Sequence, residues 1–243
     1  MKYLNDFLYL CYIKGWNGFL YELMFTSAYI GVFVVLIPYR KKYDISLKDT
    51  LIISAIFPLI TNLISITVAW IESGFTEWGT NNILRACVYI PILFFVLAKA
   101  LKIDYRRLLD FATPCLALVY AIGHLGCIFS GCCHGYPYYY GIWSPMAKNM
   151  VFPNQLIEIA VSLLIYVFLL EYAQKHKYKP TGKLYPLYLI VYGISRFFME
   201  FLRDNKKLFW GISNLALHAA FMVLVGTVWY FFLKRKERKT AET

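Results

Sequence analysis

Three short segments of this 243-residue chain gather residue types that bind anions, move protons or ligate metals. The first reads Gly123-His124-Leu125-Gly126-Cys127-Ile128-Phe129-Ser130-Gly131-Cys132-Cys133-His134-Gly135. Its glycines, Gly123, Gly126, Gly131 and Gly135, let backbone amides approach a ligand closely and permit tight turns. Close helix packing is the plainer use of the same residues. A free imidazole titrates near neutral pH, so His124 suits a proton acceptor or a donor to an anion. Cys127, Cys132, Cys133 and His134 form a C-x4-C-C-H cluster whose soft ligands suit zinc. The same thiols could form a disulfide on an oxidising face, or simply pack the loop. The spacing is not a recognised zinc pattern, and neither a metal nor another cofactor is expected.

The second segment is Pro153-Asn154-Gln155-Leu156-Ile157-Glu158. Proline is well placed at a helix start, and residues three apart on a helix share a face, so Gln155 and Glu158 can meet one neighbour. A solvated carboxylate at a membrane surface is the alternative for Glu158. In the third segment Tyr192, Arg196, Glu200 and Arg203 recur at helical spacing, which lines up a phenol, two guanidiniums and a carboxylate. Guanidinium grips phosphate oxygens in a fork and stays charged when partly buried. Arg196 and Arg203, with Arg85 nearer the N-terminus, are therefore candidate phosphate ligands, although Arg196 and Glu200 could equally form an internal ion pair.

These residues need elements to hold them, and composition says which. Sixty per cent of the chain is apolar and 16% charged, against roughly 25% charged in an ordinary soluble domain, which argues against a soluble enzyme. A bilayer core takes about 20 mainly apolar residues per helix, and seven such windows run over about 19–38, 51–71, 83–101, 108–129, 153–173, 184–202 and 209–233. Of the 25 Lys and Arg residues, seventeen fall in four clusters. These are Arg40 to Lys48, Lys99 to Arg107, Lys175 to Lys183 and Lys234 to Lys239, each beyond alternate windows. By the positive-inside rule that side is cytoplasmic. The expected fold is an all-α polytopic membrane protein with seven transmembrane helices, N-terminus outside and C-terminus cytoplasmic. It forms a single membrane domain with an interfacial segment at 1–17 and a basic tail at 234–243. The net charge of +11 is then explained by orientation and anionic lipid, with no nucleic acid required. Asp104 and Asp110 read as acids that temper the basic turn around them. Asn214 and His218, one turn apart in the last window, either line the cavity or meet headgroups.

Taken together, the three segments resemble the prolipoprotein diacylglyceryl transferase family. Its loop signature G-R-x-G-N-F-x-N-G-E-x-x-G is matched in step by Gly123, Gly126, Phe129, Gly131 and Gly135. Its P-x-Q-L-Y-E element is similar to Pro153, Gln155, Leu156 and Glu158. Its Y-G-x-x-R-F-x-x-E-F-x-R helix resembles Tyr192, Gly193, Arg196, Phe197, Glu200, Phe201 and Arg203. The departures are concentrated in the loop, where the signature's Arg, two Asn and Glu are His124, Cys127, Ser130 and Cys132. The family's H-G-G element has no counterpart around Thr80–Ala86, and its Arg–Gly pair is absent from the second window.

The resemblance implies a multi-pass enzyme of the bacterial cytoplasmic membrane. Its lipid donor is phosphatidylglycerol or a related anionic phospholipid, and its acceptor is the lipobox cysteine of a prolipoprotein. It further implies catalytic roles for His124, Tyr192, Arg196 and Glu200. Gly123, Gly126, Gly131, Gly135, Gln155, Glu158 and Arg203 would bind substrate, and Arg85 joins them by its placement near a span on the outer half and not by a family motif. A relative with another donor or acceptor, or a protein that binds lipid or peptide without reacting, is the alternative.

Overall fold

The computed structural model describes residues 2–76, 83–205 and 211–242. Its helices are α1 (Lys2–Ile13), α2 (Asn17–Tyr39), α3 (Leu47–Glu72), α4 (Ile83–Ala86), α5 (Ile90–Leu101), α6 (Tyr105–Ser130), α7 (Asn154–Lys175), α8 (Leu184–Glu200) and α9 (Asn214–Glu242). Among the described residues, five helices are long and apolar enough to cross a bilayer: α2 with the basic turn that follows it, α3, α6, α7 and α9. Side chains such as Val34, Leu59, Leu63, Leu164, Leu224 and Val228 stand exposed along them. Water would penalise so large an apolar surface, whereas hydrocarbon matches it. The protein is a multi-pass membrane protein built of helices.

Two of the seven windows take a different form. The window at 83–101 is broken into α4 and α5, with Pro91 at the start of α5. The 12 residues of α5 rise about 18 Å, short of a hydrocarbon core about 30 Å thick. The window at 184–202 forms α8, whose 17 residues end at Glu200 and carry the buried Arg196 and Glu200. The last window begins among residues outside those described, and α9 starts at Asn214.

The centre of the bundle is α6, which packs against α2, α7 and α8 and buries Leu108, Phe111, Cys115, Leu116, Val119 and His124. Its N-terminus is capped by Asp104, whose side chain accepts from the Arg107 amide at 2.9 Å. Asp110, expected merely to temper surface charge, is fully buried. It accepts from the amides of Gly182 at 2.7 Å and Leu184 at 3.0 Å and from the Thr181 hydroxyl at 3.3 Å. It therefore satisfies the orphan amides at the start of α8 and pins that helix to α6.

The basic clusters meet at this same end. Arg107 pairs with Asp44 at 3.6 Å, Lys42 lies 5.3 Å from the Tyr178 ring centre, and Lys183 pairs with Glu237. Because α6 and α8 both start there, His124 to Ser130 and Arg196 to Glu200 lie toward the opposite end.

That opposite end carries the two described strands. Between α6 and α7 the chain forms an antiparallel hairpin of β1 (Pro137–Ser144) and β2 (Asn149–Val151), with an irregularity between Pro137 and Ile142. The amphipathic α1 lies against it. Asn5 donates to the Gly141 carbonyl at 3.2 Å and accepts from the Trp143 amide at 3.0 Å. Leu8, Ile128, Ile142 and Val151 close a small apolar core beneath.

Candidate functional site

Four ionisable side chains from α7, α8 and the turn after α8 meet where none is exposed to solvent. Arg196 Nη1 lies 3.0 Å from Glu158 Oε1, and its Nη2 lies 2.9 Å from Glu200 Oε2. Arg203 Nη2 lies 3.2 Å from the same Glu158 oxygen. Ser213 donates to Glu200 Oε1 at 2.9 Å, and Asn205 donates to that oxygen as well. The quartet is formally neutral. Burying one such charge alone would cost several kcal/mol, so the two carboxylates are what allow two guanidiniums to sit there. Glu158 is fully buried and is not a solvated surface acid. The pairing of Arg196 with Glu200 is likewise more than a local i, i+4 contact, because Glu158 ties it to a second helix and to Arg203.

Beside the quartet runs a stack of rings. Tyr188 and Tyr192 lie parallel with centres 5.4 Å apart, Tyr192 meets Tyr120 at 4.8 Å, and Tyr120 covers the His124 ring at 5.5 Å. His124 Nδ1 lies 2.9 Å from the Tyr120 carbonyl, which can only accept, so Nδ1 carries the proton. In the neutral ring the lone pair is then on Nε2, which faces Glu158 Oε2 at 4.0 Å.

The cysteine loop closes over this arrangement. Helical geometry persists through Gly123 and Gly126 and ends where Gly131, at φ 75°, donates to the Cys127 carbonyl. A left-handed residue there would strain any side chain. Moreover, a Cβ at Gly131 would meet Ser144 Oγ at 2.7 Å and the Met146 amide at 2.8 Å. Gln155 Nε2 donates to the Cys132 carbonyl at 2.7 Å. Gly135 forms a β-bridge with Arg203, and the Asp204 amide donates to the His134 carbonyl at 3.3 Å. The loop is thus tied to α7 and to the end of α8.

Its thiols hydrogen-bond among themselves. Cys133 receives from Cys127 and Cys132 and feels the Arg203 charge, which holds its thiol well below the ordinary range. Cys132 sits above that range, at about 12. It also accepts from Ser130 Oγ at 3.0 Å.

A pocket open to the surroundings lies beside these groups. Of the residues singled out in sequence, Gly123, His124, Cys127, Cys133, Arg196 and Arg203 line it. Tyr192, Glu158 and Glu200 stand just behind, holding the ring stack and the guanidiniums. Gly126 instead faces the Tyr21 backbone, and Gly131 and Gly135 pack against the hairpin and the end of α8. Arg85 belongs to α4, but its side chain lies outside the described residues. His218 pairs with Glu72 at 2.6 Å and lines, with Asn214 and Tyr89, a separate pocket.

The sequence cluster Cys127, Cys132, Cys133 and His134 is not the one the fold assembles with a histidine. His134 turns to the Gly135 carbonyl at 2.9 Å, while His124, one helical turn before Cys127, joins Cys127 and Cys133. The H-x-x-C spacing on a single helix was the available signal. Tyr120, which fixes the His124 tautomer, and Phe25 of the pocket wall had no signal beyond helical spacing.

Residues 20–232 match the sequence model of a family described as prolipoprotein diacylglyceryl transferase. The chain is similar to phosphatidylglycerol–prolipoprotein diacylglyceryl transferase 2 of Clostridium perfringens, 29% identical over 68% of this chain and 67% of that one. It is 32% identical to the phosphatidylglycerol–prolipoprotein diacylglyceryl transferase of Clostridium tetani over 56% of this chain, taking in 54% of that protein. The protein of the same name from Finegoldia magna is 28% identical over 91% of this chain and 94% of its own length.

Proposed function

We infer from one premise, that this chain belongs to the prolipoprotein diacylglyceryl transferase family, that it moves the diacylglyceryl group of phosphatidylglycerol to the thiol of a prolipoprotein. The acceptor is the lipobox cysteine. The enzyme works in the bacterial cytoplasmic membrane, with seven membrane-embedded segments, the N-terminus outside and the C-terminus in the cytoplasm. Charge placement supports that orientation, because the basic clusters gather at the end of the bundle away from the pocket.

The observation that carries the reading is the buried pairing of two guanidiniums with two carboxylates beneath a pocket that also presents a histidine nitrogen. In the reaction the acceptor sulfur forms a bond to the glyceryl carbon bearing the phosphate. The bond from that carbon to the phosphate oxygen breaks, and its electron pair leaves with glycerol phosphate. Charge therefore grows on a phosphate oxygen as the leaving group departs. Arg196 and Arg203, lining the pocket and fixed by Glu158 and Glu200, are preorganised to meet it. Tyr192 and Tyr120 exclude water along one wall. Gln155 sets the cysteine loop, Gly123 leaves room for the substrate, and the acceptor thiol is activated at His124 Nε2.

Arg196→Ala tests this assignment. Removing one preorganised charge partner costs about 100-fold or more in rate, so transfer by the variant should fall below detection while Arg196→Lys retains a fraction. Unchanged transfer by Arg196→Ala would overturn the role given to it.

A further inference from the structure

The pocket wall contains three soft-ligand atoms that the phosphate chemistry leaves unused. One ring nitrogen of His124 and the Sγ atoms of Cys127 and Cys133 all lie within 4.8 Å of one another. In a tetrahedral zinc site, bonds of about 2.3 Å to sulfur and about 2.0 Å to nitrogen put ligand atoms about 3.5–3.8 Å apart. Side-chain rotation alone closes a gap of that size.

Several independent features suit the three atoms to an ion. His124 and Cys127 are three residues apart on α6 and so share its face. Cys133 is folded back to them by two left-handed residues, Gly131 at φ 75° and Cys133 itself at φ 59°. The bond from Nδ1 to the Tyr120 carbonyl fixes the ring so that Nε2 offers its lone pair, the outer contact that metal-bound imidazoles use. Gln155 and the Gly135–Arg203 bridge hold the loop before any ligand arrives. All three side chains line the pocket, so the fourth tetrahedral direction has room for a substrate atom. Three protein ligands with an open position are the arrangement of a catalytic zinc site.

We propose that His124 Nε2, Cys127 Sγ and Cys133 Sγ bind one thiophilic divalent ion of the zinc class, whose open position takes the sulfur of the acceptor cysteine. Binding releases the protons of Cys127 and Cys133, so a dication with two thiolates and a neutral imidazole adds no net charge beside the neutral Arg–Glu quartet. With its Nε2 lone pair given to the ion, His124 activates the acceptor thiol through the metal and not as a free base: the S–H loses its proton to water in the pocket as the metal–sulfur bond forms. The bound thiolate attacks the glyceryl carbon, the carbon–oxygen bond breaks, and glycerol phosphate carries away the electron pair. The resulting thioether, neutral and a weak ligand, leaves the ion. No electron is gained or lost by the metal. Cys132, bonded to Ser130, remains outside the set. The metal site stands on geometry alone, and the identity of its fourth ligand rests on the function proposed above.

Metal analysis of the full-length protein, purified in detergent under reducing conditions and reconstituted with zinc, should find one ion per chain. Cys127→Ser and His124→Ala should each lose it, while Cys115→Ala, altered in the bundle core, should keep it. With cobalt in place of zinc, thiolate-to-cobalt absorption bands should appear. They should shift on addition of a lipobox peptide containing cysteine, and not with its serine counterpart. Zinc well below stoichiometry, or a thiol titre two short until reductant is added, would overturn the site in favour of a disulfide or plain packing. Stoichiometric metal whose cobalt spectrum ignores the cysteine peptide would overturn the fourth ligand. Lipid transfer by metal-free protein would sink the inference and leave the proposed function standing, whereas metal without transfer from any anionic phospholipid would overturn the proposed function, and the fourth ligand with it, and leave the three-ligand site standing.

Discussion

At the scale of single residues, the site separates positions that serve the pocket from positions that serve the fold, and glycines make the difference measurable. A Cβ at Gly123 meets nothing within 4 Å and projects into the pocket wall, whereas one at Gly131 meets Ser144, Pro145 and Met146 on a left-handed backbone. Gly123→Ala should leave the melting temperature in detergent unchanged and raise the KM for lipid. Gly131→Ala should lower that temperature, since left-handed alanine alone costs about 1–2 kcal/mol. Equal effects of the two substitutions on melting would contradict this division. Glu158, Arg196, Glu200 and Arg203 were legible in sequence because ionisable residues in apolar windows need partners, and their spacing named most of them. That Arg203 would reach Glu158 was not legible, because it follows from the turn after α8. The histidine of the thiol group was also misassigned by adjacency. His134 neighbours Cys133 in sequence, yet His124 reaches it through the return of the chain at Gly131.

Among the elements, helices were read well wherever the apolar run was long. The windows for α2, α3, α6 and α7 fall within a few residues of the observed bounds. The hairpin escaped because β2 has only three residues, and the aromatic run Tyr138–Tyr139–Tyr140 in β1 shows no alternation of polar and apolar residues. The broken third window escaped because hydropathy sums over a turn without registering it. Asp110 is the clearest case of an element held by one side chain. Removing its carboxylate strands two backbone amides at the start of α8, each worth about 1–3 kcal/mol when buried without a partner. Asp110→Ala should therefore lower stability by about 2–4 kcal/mol, read as a fall in denaturation midpoint. Substrate KM should stay near wild type, because the pocket lies at the other end of α6. A specific rise in KM with unchanged stability would contradict the role.

Over the whole molecule, the separation of charge from chemistry supports the proposed orientation. The basic clusters come together through Arg107–Asp44, Lys42–Tyr178 and Lys183–Glu237, and the thiol, imidazole and guanidinium groups lie toward the far end of α6 and α8. A fluorescent protein fused after Thr243 should fold and fluoresce in the cytoplasm, and a tag before Met1 should react with membrane-impermeant reagent on intact cells. Labelling only after permeabilisation would reverse the orientation. The account as a whole rests on lipid transfer to sulfur. Its most direct test is incubation of the purified protein with phosphatidylglycerol vesicles and a lipobox peptide, followed by mass analysis of the peptide and assay of released glycerol phosphate. The account predicts one diacylglyceryl group in thioether linkage on the cysteine, glycerol phosphate released in equal amount, and neither product from the serine peptide. An unmodified cysteine peptide and no glycerol phosphate, with phosphatidylglycerol and other anionic phospholipids alike, would contradict it.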